Sequence, residues 1–395
     1  MDYANNFVAD RVIRNKAYPA LARWQALPYT TEWREFVQHW PNTVPAELYE
    51  HFNTHGIKYK LSDLSNLTSG AYYTVGLGFF NFDVDYFALM TEVVRRQLRR
   101  EELTVLFYYH EGDNPFRIKD RLDELCQNHL LPPNCYRFVS GNTAAEGIPG
   151  FAYFPDHELL YWHRNQAIPP TPVHTNRRLR DFTVLSRTHK WWRATAMTDL
   201  HRTGLLNNSY WSYRTDVTTD EAETDNPIEV DTLEIRTDIN QFLSNGPYSC
   251  DALTHEQHND HHLIETNHFT DSYCNIVLET HFDADGSGGA FLTEKTFKAI
   301  KHGQPFVIVG CPGSLAALRE LGYRTFDHVV DNSYDTIQDN TERWIAVRKT
   351  IAQLKSQDLH TWFESCRSDV EHNQQLFCSS KASRLNTLLE RIHND

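Results

Sequence analysis

The densest set of groups able to do chemistry lies at residues 273–310, YCNIVLETHFDADGSGGAFLTEKTFKAIKHGQPFVIVG. An apolar run ends in Glu279, a glycine-rich loop follows, and Thr293 then stands directly before Glu294 and Lys295. Threonine is a good helix N-cap, and the spacing of Phe297 and Ile300 up to Gly303 predicts a helix whose first turn carries an acid and a base. A lysine in that turn opposes the helix dipole, so its placement makes more sense if a diphosphate shares the site. The acid beside it is suited to accept hydrogen bonds from a ribose. Spacing alone equally allows Glu294 and Lys295 to be ordinary surface residues, because first-turn charges in water matter little.

A second basic group, Arg187, His189, Lys190 and Arg193, follows the apolar run FTVLS. Cations placed there can offset the charge that develops on a departing diphosphate without a metal, with Arg187 and Arg193 the first candidates alongside Lys295. A solvated helix start reads the same way. In the first half, LTVLFYY runs into His110, Glu111, Gly112 and Asp113. A carboxylate is a usual general base for deprotonating a hydroxyl, which nominates Glu111 first and Asp113 second; the alternative is a turn acid capping the next helix.

Two further patterns suggest metal. His255, His258, His261, His262 and His268 carry HxxHxxH spacing. Three-residue steps drift around a helix axis and no carboxylate orienter is evident, which favours structural or loop histidines over a zinc site. Asp283-Ala-Asp285 offers two carboxylates in a glycine-rich loop but lacks the distal glutamate of a calcium loop. It reads as a flexible lid, with cation binding the lesser alternative.

These groups need a scaffold. Residues 71–81 read as a strand, 85–99 as a helix, Leu103–Tyr109 as a buried strand, 116–130 as a helix with Ile118, Leu122 and Leu125 on one face, and Tyr136–Ser140 as a strand. The segment 167–176, AIPPTPVHTN, suits neither helix nor central strand and marks the expected domain boundary. Alternation then restarts, with strands at 182–186, 210–213, 275–279 and 305–310 and helices at 188–203, 293–302 and 314–321. Residues 215–235 carry acids and no base, as a solvated loop would. Trp344, Val347, Ile351 and Leu354, then Leu385, Leu388, Leu389 and Ile392, recur at helical spacing. The fold class is therefore α/β with mostly parallel sheets joined by right-handed crossovers. Four segments are expected: a helical one at 1–70 containing Trp24, Trp33 and Trp40, α/β domains at 71–170 and 178–340, and C-terminal helices at 341–395.

A length of 395 residues exceeds what one core accommodates. The formal charge of −14 argues against non-specific nucleic-acid binding. Seven cysteines at wide spacings, with no CxxC pair, fit reduced thiols and a cytoplasmic setting better than a disulfide or zinc framework. No run of about 18 apolar residues occurs, so no membrane span is expected.

Taken together, Glu279, Thr293-Glu294-Lys295, Gly303 and PFVIVG resemble the donor-binding signature of the α1,3-fucosyltransferases and related inverting GT-B glycosyltransferases. In that family a strand ending in an acid precedes a TEK helix start, a small residue and a PVVxG-type strand. The resemblance spans about residues 273–326, with weaker support at 186–193, and does not reach the N-terminal half. It implies two Rossmann-like domains facing a cleft and inverting transfer of a sugar from a nucleotide-sugar donor to an acceptor hydroxyl, with no cofactor or metal required. Glu294 would hold the ribose and Lys295 the diphosphate, beside Thr293, with Glu279 shaping the sugar pocket. Arg187, Lys190 and Arg193 would complete the donor site, and the N-terminal half would bind the acceptor. Thr280 stands where the family has Asn, and DADGSGG lengthens the loop, so fucose does not follow. Glycan, protein, lipid and modified nucleic acid all remain open as acceptors. The competing readings are a two-lobed nucleotide- or sugar-binding protein without catalysis and a zinc hydrolase built on the His255 to His268 cluster.

Overall fold

The computed structural model describes residues 6–8, 46–58, 60–62, 70–77, 80–214, 226–229, 235–250, 265–283, 286 and 288–394. The chain forms two compact units, Met1–Asp156 joined by Lys381–Asp395, and His157–Ser380.

The first unit is built on β1 (Asn6–Val8), β2 (Lys60–Ser62), β3 (Ala71–Leu77), β4 (Leu103–Tyr109), β5 (Tyr136–Ser140) and β6 (Phe151–Tyr153), paired in parallel in the order β2-β1-β3-β4-β5-β6. Its helices are α1 (Ala46–Thr54), α2 (Glu92–Arg99) and α3 (Pro115–Asn128). The β4 sequence LTVLFYY is a continuous apolar run because a central parallel strand is covered on both faces; six of its seven residues are buried. Asn114 starts α3 by accepting the Phe116 N–H at 3.0 Å, with Pro115 at the first helical position.

Two expectations for this unit change. The helix expected over 85–99 begins only at Glu92. The Asp85 carboxylate accepts the Ala88 N–H at 2.9 Å, forming a local turn, and Thr91 is extended and caps the Val94 N–H. The segment 1–70 is not simply helical, since its described parts include β1 and β2 beside α1. Strands of three residues are too short for a two-residue period to reveal. Trp24, Trp33 and Trp40 lie outside the described residues.

Helix α4 (Asp156–Arg164) begins at the last residue of the first unit and continues into the second. There β7 (Arg180–Ser186), β8 (Tyr210–Tyr213), β9 (Ser272–Leu278) and β10 (Phe306–Val309) form a parallel sheet in the order β10-β9-β7-β8. The helices are α5 (Trp191–Arg202), α6 (Arg236–Asn245), α7 (Asn267–Thr270), α8 (Glu294–Lys301), α9 (Ser314–Glu320), α10 (Asn340–Lys355) and α11 (Leu359–Ser379). The last helix, α12 (Lys381–Asn394), belongs to the first unit, so the expected C-terminal helical segment is divided between the two. Among the described residues no helix is long and apolar enough to cross a membrane.

In the second sheet the chain lays β8 on one side of β7 and β9 with β10 on the other. The order reverses between β7 and β9, and the carboxyl ends of those two strands are where open parallel sheets take ligands. In the first sheet the corresponding reversal falls between β1 and β3, one strand away from β4.

The proline segment 167–176 lies within the second unit and packs against the end of α8. The Gln374 amide donates to the Thr171 carbonyl at 2.7 Å and to the Lys301 carbonyl at 2.8 Å, and the Thr171 hydroxyl meets His302 Nδ1 at 2.8 Å. Gly303, just past α8, has φ +66, and a Cβ there would stand 3.2 Å from Val173 and 3.4 Å from the Thr171 carbonyl. A glycine is needed both for the left-handed turn and for the approach of the segment.

His302 is buried between the Thr171 hydroxyl and Tyr161 Oη, the latter 3.2 Å from Nε2. Burial, with Lys301 and Lys298 adding repulsion, pulls its pKa down to about 3. The unfolded chain therefore binds a proton that the folded one refuses, so the stability due to neutral His302 is present above about pH 6.5 and is lost as pH falls toward 3. Urea unfolding at pH 7 and pH 5 should show the wild-type protein weakening on acidification. His302→Gln should show a slope smaller by up to about 1.4 kcal/mol per pH unit. Identical slopes would remove His302 from the acid response.

Candidate functional site

The sheet reversal brings together the two basic segments that sequence spacing singled out. After β9 the chain carries Glu279, Thr280 and His281, and after β7 it carries Arg187, Lys190 and Arg193. Glu279 is fully buried, and both carboxylate oxygens are engaged at the start of α8. Oε1 accepts the Thr293 N–H at 3.1 Å and the Thr296 hydroxyl at 2.6 Å, and Oε2 accepts the Thr293 hydroxyl at 2.5 Å. Its carbonyl accepts Arg193 Nε at 3.2 Å and Nη2 at 2.5 Å, while Arg193 Nη1 donates to the Thr188 carbonyl at 3.3 Å. Glu279, assigned by resemblance to the sugar pocket, thus has no surface to offer a ligand. It fastens the end of β9 to α8, and Arg193 fastens the same point to the turn after β7. The buried carboxylate also supplies negative charge at the helix N-terminus, where the dipole favours it.

Lys295 is partly exposed. Its ammonium turns back over the cap, donating to Thr293 Oγ1 at 3.0 Å and Thr280 Oγ1 at 3.2 Å, and pairs with Glu294 at 3.4 Å. The other Glu294 oxygen lies 3.6 Å from His157 Nδ1. Lys190 is the N-cap residue of α5, with an extended backbone, and Arg187 is half-buried just after β7. Charges from these segments converge on His281, whose pKa falls to about 3 through burial and through repulsion from Lys190, Arg193 and Lys295. Three cations thus lie near one imidazole, with the Glu279 and Glu294 carboxylates beside them.

No protein-family model and no curated protein matches this chain.

In the first unit, Glu111 and Asp113 follow β4 as expected, both partly buried. Glu111 Oε1 lies 3.5 Å from His110 Nε2, and its carbonyl accepts the Gly141 N–H at 3.2 Å. The Asp113 carboxylate accepts the Tyr109 hydroxyl, whose own pKa is pushed well up by burial and by Asp113 and Glu111. Asp113 is thus committed to that tyrosine, whereas Glu111 meets His110.

Of the metal-like patterns, His255, His258, His261, His262 and Asp285 lie outside the described residues. His268 is buried against the Tyr210 ring at 4.7 Å, and Asp283 Oδ1 accepts the Asn340 amide at 3.1 Å. Among the described residues no group of three or more His, Cys, Asp or Glu side chains is placed to hold a metal ion.

Sequence reasoning passed over three members of the site: His281, His157 and Phe291. The Phe291 ring lies between the two histidines, 5.7 Å from His281 and 5.3 Å from His157. His281 was within reach, since it stands two residues past a buried strand's end. His157 is brought in by α4 from far along the chain, and no local pattern marks it.

If Glu279 is the fastening point, Glu279→Ala should cost about 3 kcal/mol of unfolding free energy in urea, because three donors lose a buried ionic acceptor. Glu279→Gln, which keeps one acceptor, should cost less. An unfolding midpoint unchanged in the alanine variant would sink this assignment.

Proposed function

We propose that this chain is an inverting, nucleotide-sugar-dependent glycosyltransferase of GT-B type, with the donor held on the second unit and the base supplied by the first. The observation that carries the reading is the convergence of Lys190, Arg193 and Lys295 on His281 at the sheet's reversal point, beside the start of α8. A concentration of positive charge in an acidic protein is costly unless an anion compensates it, and a diphosphate at the carboxyl edge of a parallel sheet does so. The resemblance of TEK and PFVIVG to the fucosyltransferase donor signature supports the same ligand class.

The residues divide the work as follows. Lys295 and Lys190 meet the diphosphate directly, Arg193 contributes charge while its donors stay on carbonyls, and Glu294, steadied by His157, accepts from the ribose. Glu111 takes the proton of the acceptor hydroxyl as its oxygen attacks the anomeric carbon. The bond from that carbon to the diphosphate oxygen breaks, its electron pair leaves with the nucleoside diphosphate, and the cations stabilise the departing charge. The configuration at the anomeric carbon inverts.

Lys295→Ala should weaken nucleoside-diphosphate binding about 10- to 100-fold in calorimetric titration, the size of a lost charge-assisted contact, while the melting temperature changes little. An unchanged dissociation constant would take Lys295 out of the donor site. For the base, Glu111→Gln should retain donor affinity yet lose on the order of 10²- to 10⁴-fold in turnover. Full turnover by the amide variant would move the base elsewhere.

A further inference from the structure

The groups behind Glu111 form a second constellation that the transfer reaction has not yet used. Side chains alternate along β4, so Tyr108 points one way and Tyr109 the other, and His110 follows directly past the strand's end. The Tyr109 hydroxyl goes to Asp113, and the Tyr108 hydroxyl goes to Asp156. Asp156, at the start of α4, is 2% exposed. Its Oδ1 receives both the Tyr108 hydroxyl and His51 Nε2, the latter at 3.2 Å, while Oδ2 has no hydrogen-bond partner among the described residues. Burial alone would raise the Asp156 pKa, but His51, His110 and Tyr108 outweigh it and hold the group ionised. A buried, ionised carboxylate with one oxygen unserved is suited to stabilise a cation that forms beside it.

We propose that His110 is a proton relay for the transfer reaction, taking the acceptor proton on from Glu111, with the charge of the buried Asp156 carboxylate favouring its imidazolium. The inference rests on the glycosyl-transfer reading and extends it. Glu111 Oε1 lies 3.5 Å from His110 Nε2, so a small rotation brings the two within hydrogen-bond reach for a proton to pass between them. The step balances: the acceptor O–H proton passes to Glu111 and on to His110, its electron pair forms the new bond to the anomeric carbon, and the imidazolium later releases the proton to water. His110 remains partly exposed and can do so. Further charge facing the cluster comes from His51 and His55 on or just past α1 and from buried Lys381. The pKa of His55 is lowered by burial and then by repulsion from His51 and Lys381, which marks those three as neighbours.

The test needs no acceptor. Purified full-length protein is assayed for release of nucleoside diphosphate from a panel of nucleotide-sugars, with water replacing the acceptor, and nucleoside-diphosphate affinity is measured by calorimetry on the same preparation. His110→Ala should lose on the order of 10- to 10³-fold in turnover with affinity unchanged, and added imidazole should restore at least about tenfold. A group that only holds structure would not respond to imidazole. The His110→Ala/Glu111→Gln double variant should be no slower than the slower single variant, because the two act in series. Full turnover by His110→Ala, a loss that imidazole cannot repair, or multiplicative losses in the double variant would each overturn the relay. Asp156→Asn, where it folds, should also slow release, and full activity there would remove the counter-charge. Absence of nucleoside-diphosphate binding by the unmutated protein would instead overturn the donor-site reading itself, an outcome that calorimetry separates from failure of the relay.

Discussion

The second unit depends on one buried carboxylate. Glu279 has no route to solvent, so its charge must be met entirely by the protein, and it is met by donors that all belong to the first turn of α8 or its cap. An uncompensated buried charge costs several kcal/mol, so the angle at which α8 leaves β9 is fixed by that requirement. Arg193 imposes the matching constraint on the other strand, because a buried guanidinium must also spend its donors, and it spends them on Glu279 and Thr188. The ends of β7 and β9 are therefore locked together at the point where the sheet order reverses.

That lock explains how positive charge can be concentrated there. Lys295 is carried on the turn that Glu279 holds, and Lys190 precedes the turn from which Arg193 reaches across. Both lysines are only partly buried, and Lys295 donates to Thr293 and Thr280 from that position. Between them, His281 stays neutral because burial and three cations disfavour a further proton. The proposed diphosphate would relieve that repulsion, making the electrostatic strain of the empty site part of the affinity for the donor.

How much of this was legible in the sequence depended on the range of each interaction. The β4 strand, the α8 start with its Thr293 cap and the closing Gly303 are local signals, and the structure places them within a residue or two of where periodicity did. The helix expected from 85 began late because Asp85 and Thr91 side chains compete locally with helical hydrogen bonding, a competition that apolar spacing does not register. At the site, the composition of the TEK turn was readable, but the role of Glu279 was not. Whether an acid at a strand end faces a ligand or a helix cap depends on what lies 14 residues further along. The proline segment misled for the opposite reason. Its extended form was evident, but its use as packing against α8 depends on His302 and Gln374, more than a hundred residues away.

If the proposed donor site is right, the burial of Glu279 changes what could discriminate the sugar. With both its oxygens spent on α8, the groups left at the end of β9 are Thr280 and His281, a hydroxyl and a neutral imidazole. Neither presents the full charge that a carboxylate would offer to sugar hydroxyls. A hydroxyl and a neutral ring nitrogen can each donate or accept, so selection among sugars there would rest on shape and on satisfying individual hydrogen bonds instead of on charge. Charge selection would then be left to the proposed diphosphate end, where Lys190 and Lys295 stand. On the proposed reading the buried Glu279 clamp would separate the two tasks in space, with recognition of the anion on the helix starts and recognition of the neutral sugar on the strand end between them.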